Sequence, residues 1–200
     1  MYRKILYIKA NPKPEEDSYT FKLANEFLKY YKQENPDDQI TELDLYKEGI
    51  KCLDQKMLKE LSDKERNEMH RHALQFAKSD KYIIAAPMWN LSVPAILKAY
   101  FDYVSYAGIT FKYTEKGPMG LLGDKPRRVM HIVSRGGQYS EGPYKAFEMG
   151  DEYVRTILGF MGIIKVETLA LENTNVLNGN ELHEKVREAY KEAKRMGKHF

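Results

Sequence analysis

Five short apolar runs, each followed by a stretch of helical periodicity, leave this chain very few folds to choose from. The runs are RKILYIKA (3–10), QITELDL (39–45), KYIIAAP (81–87), RRVMHIVS (127–134) and KVETLAL (165–171). All have strand length and are rich in Ile, Val, Leu and Tyr, while QITELDL alternates more and reads as a strand nearer a sheet edge. After Asp17 and Ser18, the residues Phe21, Ala24, Phe27, Leu28 and Tyr31 recur at helical spacing. A second stripe, Met69, Ala73, Phe76 and Ala77, lies in DKERNEMHRHALQFAKSD (63–80). A third, Leu97, Tyr100, Phe101 and Val104, has Pro94 in its first turn and Gly108 just past its end. Two more helices are expected over about 143–160 and about 179–197.

Strand then helix, five times over, predicts a parallel sheet covered on both faces: an α/β chain in three layers with right-handed crossovers. Five strands suggest the order 2-1-3-4-5, although strand count alone does not fix it. At 200 residues without repeat or linker, the chain is read as one domain over 1–200. Two segments exceed a minimal plan. Residues 46–61 lengthen the connection after the second strand, and residues 109–123 contain TFKYTEKGP, a hairpin-like stretch with a Gly-Pro turn. Such additions serve ligand binding or subunit contact, or are irregular surface loops.

Charge and cysteine usage narrow the function. A net charge of +3, with both signs interleaved, gives no concentrated basic face for nucleic acid. The single cysteine, Cys52, excludes an intrachain disulfide and thiolate-rich metal sites. With no run of about 18 apolar residues, a cytoplasmic protein outside the membrane is the expectation. The five histidines are scattered, and His70 and His72 fall on different sides of a helix, so no metal site is expected.

Ligands of open parallel sheets bind outside the strand carboxyl ends, and three loops lead there. KANPKPEEDSYTF carries neither GxGxxG nor GxxxxGK[ST]. It closes with Ser18 and Thr20 at a helix start, which suits either a phosphate or plain N-capping. PMWNLSVP sets Met88, the chain's one tryptophan Trp89, Asn90 and Leu91 between two prolines. That composition fits a planar heterocycle with a polar edge, or equally a tryptophan filling a core. HIVSRGGQYSEGP brings Ser134 and the pair Gly136 and Gly137, which let a backbone approach a ligand or simply make a turn beside a solvated Arg135.

With these loops in view, the chain resembles the FMN-dependent NADH-azoreductases, also described as NADH:quinone reductases, of the flavodoxin-like superfamily. The resemblance is carried by PMWNLSVPAILKAYFDYVSYAGITFKYTEKGPMGLL, VSRGGQYSEGP and YVRTILGFMGI, and extends over most of the chain. It implies a flavodoxin-like fold, bound FMN, NADH as electron donor, quinone or azo acceptors used in ping-pong fashion, and a homodimer. Asn11, Ser18, Tyr19 and Thr20 would hold the FMN phosphate. Met88, Trp89, Asn90 and Leu91 would line one side of the isoalloxazine, and Ser134, Arg135, Gly136 and Gly137 would meet its pyrimidine edge. Trp89, Phe111, Tyr113 and Phe160 would shape the substrate pocket. No side chain is assigned as catalytic acid, base or nucleophile. Trp89 stands where many members have Tyr, Leu91 where many have Phe, and Asn11 where some have Ser, so the preferred acceptor stays open. The principal rival is a flavodoxin-type electron carrier lacking its own NADH reductase activity; a flavin-free binding module is a third reading.

Overall fold

The computed structural model describes residues 2–60 and 68–200. In chain order these form β1 (Lys4–Lys9), α1 (Tyr19–Glu34), β2 (Gln39–Asp44), α2 (Gln55–Glu60), α3 (Glu68–Lys78), β3 (Lys81–Ala85), α4 (Ala95–Val104), β4 (Phe111–Thr114), β5 (Gly117–Gly120), β6 (Arg128–Ser134), α5 (Gly150–Phe160), β7 (Val166–Leu171) and α6 (Gly179–His199). Five parallel strands make one sheet in the order β2-β1-β3-β6-β7. With the small hairpin β4-β5 set aside, this is the expected 2-1-3-4-5 arrangement, a flavodoxin-like fold.

The inner strands are apolar along their length because neither face meets water. All of β3 is buried, and β1 and β6 are buried except at their ends. Alternate residues feed two cores. Leu6, Ile8, Tyr82 and Ile84 pack with α3, α4 and α5 through Phe76, Tyr100, Phe101 and Leu158. Ile5, Tyr7, Ile83, Ala85, Met130 and Ile132 pack with α1 and α6 through Phe21, Phe27 and Ala193. β2 is mostly exposed, as its alternation predicts, and β7 is the other edge, only partly buried.

Several boundaries differ from the sequence reading. The N-terminal part of the helix expected over 63–80 includes residues 61–67, which lie outside the described residues; the described part is α3. The helix expected from about residue 143 starts at Gly150, after a loop and a short 3-10 turn at Lys145–Phe147. There the Glu148 carboxylate accepts from the Asp151 N–H at 2.9 Å and caps the helix about two turns later than expected. α4 ends at Val104, well before Gly108. In the hairpin, Gly117 and Pro118 belong to β5, paired with Thr114 and Tyr113, so Glu115 and Lys116 make the turn in place of Gly-Pro. Residues 55–60 of the long connection form the short helix α2.

Two further features test the packing. Gly197 lets α6 lie directly on α1: a Cβ there would sit 2.5 Å from the Phe27 carbonyl oxygen. Replacing Gly197 with Val should therefore cost about 1–3 kcal/mol of stability through overpacking. A thermal melt would show it as a drop of roughly 2–4 °C per kcal/mol. His72 is buried with its ring against Tyr100 and Tyr103, at centroid distances of 5.8 and 5.9 Å. Burial, helped by the charge of Arg71, pushes its imidazole down to about 4. Unfolded histidine titrates near 6.5, so between about pH 6.5 and about pH 4 the unfolded chain binds a proton that the folded chain does not. Stability should fall as pH drops through that window. Urea titrations at several pH values should show a shallower fall for His72→Leu.

Candidate functional site

Register decides which loops can meet. Lys9 is level with Ala85, and Ala85 with Ile132, so the segments following β1, β3, β6 and β7 leave the sheet at one edge. A cleft opens there in two connected parts. The inner part, about 210 Å³, is walled by Asn11, Lys13, Ser18, Tyr19, Ser134 and Thr174 among others. The outer part, about 530 Å³, is walled by Asn90, Leu91 and Tyr139, and both parts share Met88, Trp89, Gly136 and Asn175.

The first loop is built around a helix start. Ser18 is the N-cap of α1, its hydroxyl accepting from the Phe21 N–H at 3.1 Å. Asn11 donates to the same oxygen at 2.9 Å and accepts from the Lys13 N–H at 3.1 Å, which folds the loop back on itself. The amides of Tyr19 and Thr20, at the positive end of a helix of 16 residues, have no partner among the described residues. Below them, buried Lys9 ties the loop to the sheet through Glu15 at 2.6 Å and Glu42 at 3.0 Å. Burial opposes the Lys9 charge, but the hydrogen bonds from Glu15 and Glu42 outweigh it and hold the ammonium above its ordinary value. Lys9 in turn holds Glu15 below the usual carboxylate range, with help from Asn25.

The second loop is a strained turn. Trp89 and Ser92 exchange backbone hydrogen bonds of 2.9 and 3.1 Å around Asn90 at φ 48° and Leu91 at φ 70°. A left-handed leucine costs about 1–2 kcal/mol and persists only where its surroundings hold it. Met88 N–H donates to the Ser134 carbonyl at 3.0 Å, and the Leu91 carbonyl accepts from Met149 N–H at 3.0 Å. The amides of Asn90 and Leu91 are left without partners among the described residues. Trp89 is 39% exposed on the cleft wall.

The third loop is stitched to a fourth that sequence reasoning missed. Thr174, Asn175 and Asn173 donate their backbone N–H groups to the carbonyls of Arg135, Gly136 and Gly137 at 3.1, 3.0 and 3.1 Å. The amides of Gly136 and Gly137 have no partner among the described residues. A Cβ on Gly136 would lie 2.7 Å from the Asn175 side-chain nitrogen. The signal for this fourth loop was available: Glu172–Val176 also follows a strand carboxyl end, and Asn-Thr-Asn is turn chemistry.

Not every candidate sits on the cleft. Thr20 is buried, with its hydroxyl 2.6 Å from that of Ser134. Arg135 is neither solvated nor on the cleft wall: its side chain is 4% exposed and lies 3.0 Å from Glu172 and 3.2 Å from Glu148. Its guanidinium is therefore directed away from the cleft, so only the Arg135 backbone is placed to meet a ligand there. Phe111, Tyr113 and Phe160 form their own aromatic cluster, with Phe111 centroids 5.4 Å from Tyr113 and 4.8 Å from Phe160, and none of the three walls the cleft of this chain.

A larger cavity, about 670 Å³, lies at the opposite edge of the sheet, among Arg3, Lys81, Lys125, Arg127, Arg128 and Ile163. Most of its cations are engaged internally. Lys81 donates to the Tyr31 hydroxyl and the Phe200 carbonyl, Arg128 meets Glu167, Lys125 meets Asp80, and Arg127 donates to the carbonyls of Ala77, Ser79 and Leu122.

A family described as having a flavodoxin-like fold matches residues 3–195. An FMN-dependent NADH:quinone oxidoreductase of Clostridium perfringens (strain ATCC 13124) is 54% identical, the match covering 98% of this chain and 99% of that one. A second protein of the same name, from Clostridium acetobutylicum, is 50% identical over 98% of this chain and 99% of its own. Among solved structures, an azoreductase from Bacillus anthracis str. Sterne superposes with a TM-score of 0.87 at 35% identity, covering 99% of this chain and 100% of the other. An FMN-dependent NADH-azoreductase from Bacillus anthracis str. Ames Ancestor, solved in complex with FMN, gives 0.86 at 28% identity, over 97% of each chain. With half its residues shared with such relatives over nearly its full length, the chain belongs to the flavodoxin-like family of FMN-dependent NADH:quinone oxidoreductases and azoreductases.

Proposed function

We propose that this protein binds FMN in the cleft and uses it to transfer hydride from NADH to quinones and azo compounds. One observation carries the reading: open backbone donors line both parts of a cleft that also presents a half-exposed indole. At the inner end, the amide of Tyr19 and the side chains of Asn11, Ser18 and Lys13 suit a phosphate. Along the outer part, the amides of Asn90, Leu91 and Gly136 suit the carbonyls and ring nitrogens of a flat heterocycle, with Met88 and Trp89 against its face. A side chain at Gly136 would displace the Asn175 amide that walls both parts of the cleft.

When bound, FMN supplies the hydride chemistry, which no side chain here could perform. The chain's own contribution is placement and charge. Preorganised N–H groups at Gly136 and Gly137 favour negative charge developing on the pyrimidine side, at no cost of reorganisation. NADH and the acceptor would each need the same exposed face of the ring, so they would use it in turn, and ping-pong kinetics are the expectation. We further propose that the working unit is a homodimer in the cytoplasm. A second copy would give the cluster of Phe111, Tyr113 and Phe160 a cleft to shape, since it lies off the cleft of its own chain. Among the described residues, no helix is long and apolar enough to cross a membrane.

The purified protein supplemented with FMN should be yellow after gel filtration and bleach on anaerobic addition of NADH. Colour that persists with NADH would indicate an electron carrier dependent on a separate reductase, and failure to retain FMN would overturn the reading. Within the site, Gly136→Val should raise the FMN dissociation constant at least about tenfold, the equivalent of about 1.4 kcal/mol. Quenching of FMN fluorescence on titration into apoprotein measures this directly.

A further inference from the structure

We infer that Glu172 is a positioning residue for the flavin site: one buried carboxylate oxygen sets the orientation of the glycine loop from behind. The inference rests on the flavin reading above. Glu172 follows β7 directly, and its side chain is 8% exposed. Its Oε1 accepts from the Tyr139 N–H at 2.8 Å, the Ser140 N–H at 2.9 Å and the Arg135 Nη1 at 3.0 Å. Three donors on one oxygen, all from residues 135–140, draw that segment around a single point.

The segment so held contains Gly136 and Gly137. Their carbonyls are fixed by the N–H groups of Asn175 and Asn173, and the chain on either side of them is fixed by Glu172 through Arg135, Tyr139 and Ser140. A pair of glycines has the widest backbone freedom of any dipeptide, so nothing intrinsic aims their two open amides. The aim comes from these anchors, and Glu172 is the one that grips both ends. Tyr139, whose N–H it holds, also walls the outer cleft. The guanidinium of Arg135 is shared with Glu148, 3.2 Å away, which caps α5 at Asp151. Glu148 thus holds the same arginine but no amide of the glycine loop, which makes it the control.

The test compares Glu172→Ala, Glu172→Gln and Glu148→Gln by FMN titration of apoprotein, the wavelengths of the bound-flavin bands, and the melting midpoint of each apoprotein. Glu172→Ala should raise the FMN dissociation constant about tenfold, the loss expected when donors lose a net hydrogen bond each. It should also shift the bound-flavin bands, because the amides meeting the ring have turned. Glutamine keeps an oxygen for the Tyr139 and Ser140 amides, so Glu172→Gln should stay within about threefold of wild type, as should Glu148→Gln. If Glu172→Ala does not fold, Glu172→Asp, whose shorter arm cannot reach both amides, should move affinity and bands in the same direction. Unchanged affinity and bands in Glu172→Ala or Glu172→Asp would overturn the inference. Equal weakening by Glu148→Gln would overturn it too, since the effect would then be general stability around Arg135. Failure of the wild-type apoprotein to bind FMN is a different result: it would overturn the flavin reading itself and this inference with it.

Discussion

Burial of β1, β3 and β6 on both faces is the constraint from which the rest of this structure follows. A strand with no solvent-facing side cannot carry polar function along its length, so chemistry is displaced to its ends. Parallel pairing then sends every carboxyl end to the same edge, and the register brings Lys9, Ala85 and Ile132 level. Four loops spread over more than a hundred residues of sequence therefore share one cleft without any direct pull between them. The long-range cost of bringing them together is met by the two apolar cores, and the loops need only settle their local geometry.

That local geometry is settled mainly by backbone hydrogen bonds between loops. Met88 donates to Ser134, Asn175 to Gly136, Asn173 to Gly137, and Met149 to Leu91. In each pairing, the carbonyls of the glycine loop and the Leu91 turn are taken, while the amides of Asn90, Leu91, Gly136 and Gly137 stay open. A surface loop with all its donors and acceptors matched would be more stable and of no use for binding. The left-handed Leu91 is the same trade made in backbone strain, held in place by Trp89, Ser92 and Met149.

The inner strands could be read from sequence because double-sided burial leaves a continuous apolar run, and β2 could be placed at an edge because one-sided burial leaves alternation. The start of α1 was equally plain, with Ser18 in the capping position. The start of α5 was not, since the carboxylate that caps it, Glu148, follows a 3-10 turn that has no periodicity to reveal it. Gly-Pro misled the hairpin reading: sequence marks both residues as turn formers, while strand pairing places them one step later. Three of the four loops were recognised from unusual composition. The loop at 172–178 was passed over because its residues look like ordinary turn chemistry and contribute mostly backbone. Arg135 was misplaced for a related reason: an arginine beside two glycines gives no sign that two distant carboxylates, Glu148 and Glu172, will draw it inward.

The division of the cleft bears on selectivity. Its inner part is rich in fixed donors, and its outer part is walled by Met88, Trp89, Leu91 and Tyr139. Sites built to hydrogen-bond a group reject analogues lacking it by large factors, whereas apolar walls discriminate weakly between molecules of similar shape. On the proposed reading, the open donors of both parts confer strict choice of cofactor, while the apolar side chains of the outer part leave the choice of acceptor loose. A flat molecule that fits beside Trp89 is admitted largely irrespective of the group it presents for reduction. Quinone and azo compounds share that flatness and little else. On that reading, breadth toward acceptors would follow from where the loops left their polar groups.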